Sequence, residues 1–397
     1  MKYNFDEIVN RKGTGSIKWD FGERIIEGGL TDRFDEDTLP LFAADMDIAC
    51  APKIIEAMHK TADARIYGYS SPKPEYYESI ISWFKKIHDW DILKEEIVYC
   101  PGTVHAIGIA IRAFSKEGEG IIIQRPVYAP FTNQIKNNNR LVVNNQLKLD
   151  YNGYYSIDMD DFALLAKKKE NTMFILCNPH NPTGRIFSIE KLNQMALICY
   201  ENNVTIIADE IHGDLIRQDK RFTPIVKTTD KTDHIITCTA INKTFNVAGL
   251  HASNIVISNE KLRKKFKKVL GMAMPTPFTI NALIAAYDDC EDWLDQIKSY
   301  FDGTIDWVMD FLRSNMPKVK FTRPEGTYIF WMDFREYNLT SEEIRKRIYM
   351  NANVVLEPGQ MFDPDNGHGF ERICLSSPRS IVKEAFIRIA KAFEDIN

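Results

Sequence analysis

Five short runs rich in β-branched and aliphatic residues, EGIIIQRP, NTMFILCNP, VTIIADE, HIITCTA and ASNIVIS, alternate with longer segments of helical period through the first two thirds of the chain. Runs this short with so few polar interruptions suit strands covered on both faces. Their alternation with helices predicts an α/β fold: a large domain built on a mainly parallel sheet with helices on either side. After MPTPF a long helical region leads to VKFTRPEGTYIFWMDF, NVVLEPGQMF and ERICLSSPRS, which read as strands of a smaller α+β domain. The expected division is an N-terminal segment at 1–45 packing with the small domain, a large domain at 46–288 and the small domain at 289–397.

At 397 residues and 44% hydrophobic, the chain has room for such a two-domain core. The N-terminus lacks the apolar centre of a signal peptide, and no apolar run approaches the roughly 20 residues of a membrane helix, so a cytoplasmic protein is expected. Seven cysteines lie scattered without a C-x-x-C pair and read as reduced, mostly buried thiols. A net charge of −5 gives no reason to expect nucleic acid or an anionic membrane as partner, and the basic run KLRKKFKKVL reads as a solvated helix face.

Open parallel sheets bind ligands beyond the carboxyl ends of their strands, which directs attention to the residues after each run. Asp209, Glu210 and His212 follow VTIIA, Asn181 lies in NPHNPTGR after TMFILC, Tyr128 in RPVYAPF after GIIIQ, and Lys243 after HIITCTA. A lysine in such apolar surroundings loses proton affinity, because burial disfavours its charged form, and a neutral lysine is a nucleophile for carbonyl groups. A lysine snorkelling to the surface is the structural alternative. Gly102, Thr103 and Val104 open an almost wholly apolar helix, whose free N–H groups and dipole suit a phosphate, although many helices begin this way and bind nothing. Asp209 at the end of an apolar strand needs a cationic or hydrogen-bonding partner. A metal held by Asp209, Glu210 and His212 lacks a familiar ligand spacing, and a heteroaromatic cation suits the carboxylate better. A lysine for an aldehyde, an anion for a pyridinium nitrogen, an amide for a ring oxygen, an aromatic face and a phosphate cradle together describe pyridoxal 5'-phosphate. Neither a P-loop nor a complete dinucleotide fingerprint is present.

The motifs LCNPHNPTGR, ADEIHGDL, NKTFNVAGL and RICLSSPR, in this order, resemble the fold-type I pyridoxal-phosphate enzymes of the aminotransferase class I/II superfamily. ADMDIACAP, YGYSSPKPEYYESIISW and KTFNVAGLHAS narrow the resemblance to the cystathionine β-lyases, or C–S lyases, of the MalY/PatB type, over essentially the whole chain. The resemblance implies that Lys243 condenses with the cofactor aldehyde and that Asp209 partners the pyridine nitrogen. Asn181 and His212 would stand near the ring oxygen, Tyr128 would stack on the ring, and Thr103 and Val104, after Gly102, would offer N–H groups to the phosphate. Arg379 would bind the substrate α-carboxylate, aided by Asn181 and Tyr69. Tyr69 would also reach the phosphate region of a neighbouring subunit, which implies a homodimer with shared active sites. Three positions depart from the pattern: Asn242 replaces the usual serine before the lysine, Phe42 stands where a tryptophan is common, and Cys374 replaces an asparagine.

The implied reaction is α,β-elimination. Lys243 removes the α-proton of an amino acid, and loss of a thiolate from the β-carbon leads to pyruvate, ammonia and a thiol. Transamination by an aminotransferase uses the same lysine, aspartate and arginine, and a cofactor-binding protein with a mainly regulatory role is a further alternative left open at this level.

Overall fold

The computed structural model describes residues 2–397. Its centre is a seven-stranded sheet made of β1 (Ile97–Cys100), β2 (Gly120–Ile123), β3 (Leu141–Asn144), β4 (Asn171–Cys177), β5 (Thr205–Asp209), β6 (Ile235–Ala240) and β7 (Ser253–Val256), in the order β1-β7-β6-β5-β4-β2-β3. Only β7 runs antiparallel to its neighbours. The apolar runs read from the sequence are these strands, and every residue of β2 and β6 is buried. This burial on both faces explains why the runs are continuous rather than alternating.

Helices cover both faces. The helix α1 (Thr103–Phe114) is buried along most of its length and packs with β1, β4, β5 and β6 in one core cluster. On the other face, α2 (Ile189–Glu201) contributes Leu192, Met195, Ala196 and Cys199. A four-stranded antiparallel sheet then forms from β8 (Lys320–Phe321), β9 (Ile329–Asp333), β10 (Glu357–Pro358) and β11 (Phe370–Cys374), in the order β8-β9-β11-β10. It packs with α3 (Glu291–Asn315) and α4 (Arg379–Ala392) around a separate core that also takes in Leu41 and Phe42. The fold-class expectation therefore holds. Among the described residues no helix is long and apolar enough to cross a membrane.

The amino-terminal residues are tied to both layers. Leu39–Pro40 pair in parallel with Val354–Val355. Asp47 is a buried hub: it accepts from Lys18 Nζ at 2.7 Å, Arg11 Nη1 at 2.6 Å, Trp19 Nε1 at 2.9 Å and Ser377 Oγ at 2.7 Å. Burial by itself would raise its pKa, but the Lys18 charge and these donors hold it below the ordinary carboxylate value. Asn246 locks the same segment by accepting from Met46 N–H and donating to the Met46 and Ile48 carbonyl oxygens.

Lys18 is almost wholly buried, with Asp47 its nearer carboxylate at 2.7 Å and Asp45 a second at 3.3 Å. Asp47→Ala is expected to cost about 3 kcal/mol in urea unfolding, since it takes the nearer counter-charge from buried Lys18 and leaves it only Asp45. The wild-type margin over the variant should be full above the ordinary aspartate pKa and shrink as the pH falls through the depressed one, because the native state holds Asp47 ionised.

Candidate active site

A cavity of about 310 Å³ opens at the carboxyl ends of β4, β5 and β6 and gathers most of the residues singled out from the sequence. Lys243 lies on the one-turn helix Ile241–Thr244 that follows β6 directly, so the strand end fixes where its side chain starts. Its Nζ donates to the Ala44 carbonyl oxygen at 2.5 Å. The backbone turns sharply there: Ala43 has φ of +51°, unusual for an L-residue, and Asp45 N–H closes onto its carbonyl at 2.9 Å. Tyr328 donates to the same Ala44 oxygen at 2.8 Å. Burial lowers the Lys243 pKa, while the neighbouring Cys374 and Asp45 oppose the shift.

Asp209 is the last residue of β5 and is buried. Its Oδ1 accepts from Ile211 N–H at 3.4 Å. Burial pushes its pKa up to about 7, with that N–H and the Lys243 charge pulling in the opposite direction. His212 sits three residues on, edge-on to Tyr328 at a ring separation of 6.0 Å. Burial pushes its pKa down to about 3, with the Lys243 and Arg372 charges adding to the effect, so the ring is neutral. Its Nδ1 is buried without a hydrogen-bond partner.

The segment NPHNPTG forms a tight turn in which Gly184 has φ of +67° and lies so close to Pro324 that a Cβ would come within 2.5 Å of it. The Gly184 carbonyl accepts from both Glu325 and Gly326, which docks the turn on the approach to β9. Asn181 is thereby held in the cavity wall, where Tyr128 N–H donates to its carbonyl oxygen at 3.1 Å. Tyr128 lines the cavity and packs edge-on against Phe131. Asn242 also lines it, its Oδ1 accepting from Ala252 N–H at 3.3 Å.

Gly102 caps α1 at the cavity edge, with Thr103 and Val104 in its first turn. The first N–H groups of a helix have no partner within it, and the dipole there favours an anion. A Cβ built on Gly102 would meet nothing within 4 Å, so these N–H groups border open space.

These parts fit pyridoxal 5'-phosphate. A buried carboxyl with a raised pKa and an orphaned imidazole nitrogen border the same space as a lysine of lowered pKa and a bare helix start. Among the described residues no cluster of His, Cys, Asp or Glu could hold a metal ion.

Two expected substrate contacts, Arg379 and Tyr69, lie outside the cavity wall of their own chain. Arg379 is not in the cavity wall: its Nε donates to Thr304 Oγ1 and its Nη2 to the Tyr300 carbonyl, both at 3.1 Å, and its guanidinium lies over the Tyr300 ring at 4.6 Å. It serves the contact between α4 and α3. Tyr69 is 98% exposed and does not reach the cavity of its own chain. The arginine behind the site is Arg372, missed in the sequence reading. Its Nη1 donates to Asn181 Oδ1 at 3.0 Å, and its Nε is buried without a partner. The signal was present in RIC, where Arg372 falls on a strand two residues before Cys374 and seven before Arg379.

A large domain whose parallel strands end in this constellation, joined to a small α+β domain, has the aspartate-aminotransferase-like architecture of fold-type I enzymes. Residues 37–389 match the family of class I and II aminotransferases, and the chain belongs to that family. Cystathionine beta-lyase PatB of Bacillus subtilis (strain 168) is 36% identical over 393 residues, spanning 98% of this chain and 99% of the relative. The crystal structure of cystalysin from Treponema denticola, which contains a pyridoxal 5'-phosphate cofactor, superposes with a TM-score of 0.94 at 34% identity and covers 100% of both chains. A pyridoxal-phosphate-bound C–S lyase from Staphylococcus hominis, in complex with L-cycloserine, gives a TM-score of 0.92 at 31% identity over the full length of both chains.

Because Asp209 is ionised in the unfolded chain from about pH 4 upward but in the folded chain only near pH 7, it opposes folding increasingly across that window. Cofactor-free Asp209→Asn is therefore expected to melt above cofactor-free wild type at pH 8, with the gap closing towards pH 4. The same variant should bind pyridoxal 5'-phosphate at least about tenfold more weakly by absorbance titration, since it loses the buried anion.

Proposed function

We propose that this chain is a pyridoxal-phosphate-dependent C–S β-lyase that converts cystathionine or related cysteine S-conjugates to pyruvate, ammonia and a thiol. The observation that carries the chemistry is the placement of Lys243 and Asp209 on one small cavity, each with its pKa displaced by burial. The choice of elimination is supported by relatives named as cystathionine β-lyase and C–S lyase that match along nearly the whole chain.

When bound, pyridoxal 5'-phosphate supplies an aldehyde for the substrate amine and an electron sink for the carbanion formed at Cα. Lys243, at the end of β6, would hold the cofactor aldehyde and would take the proton from the substrate Cα, a role that its lowered pKa favours. Asp209 would keep a proton in place at the ring nitrogen, and the N–H groups at the start of α1 would receive the phosphate. Arg372, rather than Arg379, receives the α-carboxylate: its orphaned Nε, beside Asn181, is the unspent donor of a charged fork suited to a carboxylate.

The working form we propose is a cytoplasmic homodimer. Tyr69 lies in an exposed apolar patch with Ile66 at 84% and Met272 at 86% exposure, and the loops carrying them are joined by the Ser70 Oγ bond to the Pro275 carbonyl. Such a patch is costly to leave in water and supports burial against a second copy. All seven cysteines are unpaired, in keeping with a reducing compartment.

The holoenzyme is expected to release pyruvate steadily from cystathionine in an assay coupled to lactate dehydrogenase. Lys243→Ala should lower the rate by about 10²–10⁴-fold, as loss of a general base does, and remove the visible cofactor band. A preparation that makes no pyruvate but cycles only when given a keto acid is an aminotransferase, and the lyase reading is then wrong.

A further inference from the structure

Arg372 does not wait for a carboxylate alone. Its strand neighbour in the β10–β11 ladder is Glu357, directly opposite it in register, and the Glu357 carboxylate forms an ion pair with Arg372 Nη2. Both side chains are largely buried, at 1% and 14% exposure. The contact could either orient the guanidinium or balance its charge, and the surroundings decide between these roles. Orientation is already provided twice over: Asn181 Oδ1 accepts from Nη1 at 3.0 Å, and the Phe362 ring lies under the guanidinium with its centroid 4.8 Å from Cζ. Charge balance is provided by no other group in direct contact with Arg372 among the described residues. The adjacent carboxyl, Glu371, is spent on the Tyr349 hydroxyl, which donates to it at 2.7 Å, and burial pushes its pKa up to about 8.

We propose that Glu357 is a resident counter-ion that lowers the affinity of Arg372 for the substrate carboxylate, and so sets the amino-acid affinity of the site. This rests on the assignment of Arg372 to the α-carboxylate. A buried guanidinium with no counter-charge is destabilised in the empty site, and an incoming carboxylate would then regain the whole of that cost. With Glu357 in place the empty site is already close to neutral, so the carboxylate gains only what Nε and the remaining hydrogens of the fork offer. Glu357 touches neither the Cα proton nor the leaving group, and acts through Arg372 as a positioning residue for charge. The consequence is an opposition of signs: taking away its charge should destabilise the fold and tighten substrate binding together. A merely structural role would weaken both.

The test compares wild-type holoenzyme with Glu357→Gln, Glu357→Asp and Arg372→Lys, using S-methyl-L-cysteine for steady-state kinetics, L-alanine for equilibrium binding by absorbance, and thermal melting. For Glu357→Gln the expected result is a KM and an alanine Kd lowered about tenfold with a lower Tm, the low end of what close charge pairs couple by. Glu357→Asp, which keeps the charge but draws it back, should move both constants the same way by a smaller factor, and decides the matter if the Gln variant does not fold. An unchanged or raised KM and Kd in either variant overturns the proposal. If Arg372→Lys leaves KM and alanine Kd at their wild-type values, the carboxylate assignment itself fails. If it raises them while the Glu357 variants do not lower theirs, only the counter-ion role fails.

Discussion

Desolvation at the carboxyl edge of the central sheet governs this structure. β4, β5 and β6 are buried on both faces, so whatever follows them emerges into a small space with little water. A carboxyl placed there is driven towards its neutral form, a lysine towards its free amine and an imidazole away from protonation. The same burial that costs folding energy lowers the proton affinity of Lys243 and raises that of Asp209, which is what their proposed cofactor roles require. In that proposal a heteroaromatic ring with a basic nitrogen would pair with Asp209, and its binding would return part of that cost.

Closure of the site comes from segments far away in sequence. The Ala44 carbonyl, which meets Lys243, is presented by a strained turn at Ala43, and the hub at Asp47 fastens that turn to Lys18, Arg11, Trp19 and Ser377. The amino-terminal arm, the large sheet and the carboxy-terminal domain thus meet within a few residues of the reactive amine. The Gly184 turn adds a second tie, holding Asn181 in the wall and anchoring it to the approach to β9. Behind Asn181, Arg372 donates to its side-chain oxygen and forms a cross-strand ion pair with Glu357.

Much of this could be read in the chain. The buried strands announce themselves because a strand covered on both faces has no polar alternate positions, and Lys243, Asp209, Asn181 and Tyr128 lie at or within a few residues of the ends of such strands. The helix start at Gly102 was visible for the same local reason. The two arginines were not separable in this way. Arg372 and Arg379 are seven residues apart, one on the last strand and one opening the last helix, and both are rich donors. Periodicity says which elements carry them, but what each guanidinium faces depends on how the small domain is set against Asn181, α3 and Glu357.

The sequence by itself determined the alternating architecture and the order in which reactive groups leave the strands, because both follow from local patterns of burial and turn chemistry. Tertiary structure alone decided which distant groups meet: Ala44 with Lys243, Asn181 with Arg372, Glu357 opposite Arg372, and Arg379 turned away onto Tyr300. Those pairings join residues up to about 200 positions apart, as with Ala44 and Lys243. They are selected by the packing of whole domains, which fills the space between them and brings buried charges to partners within reach.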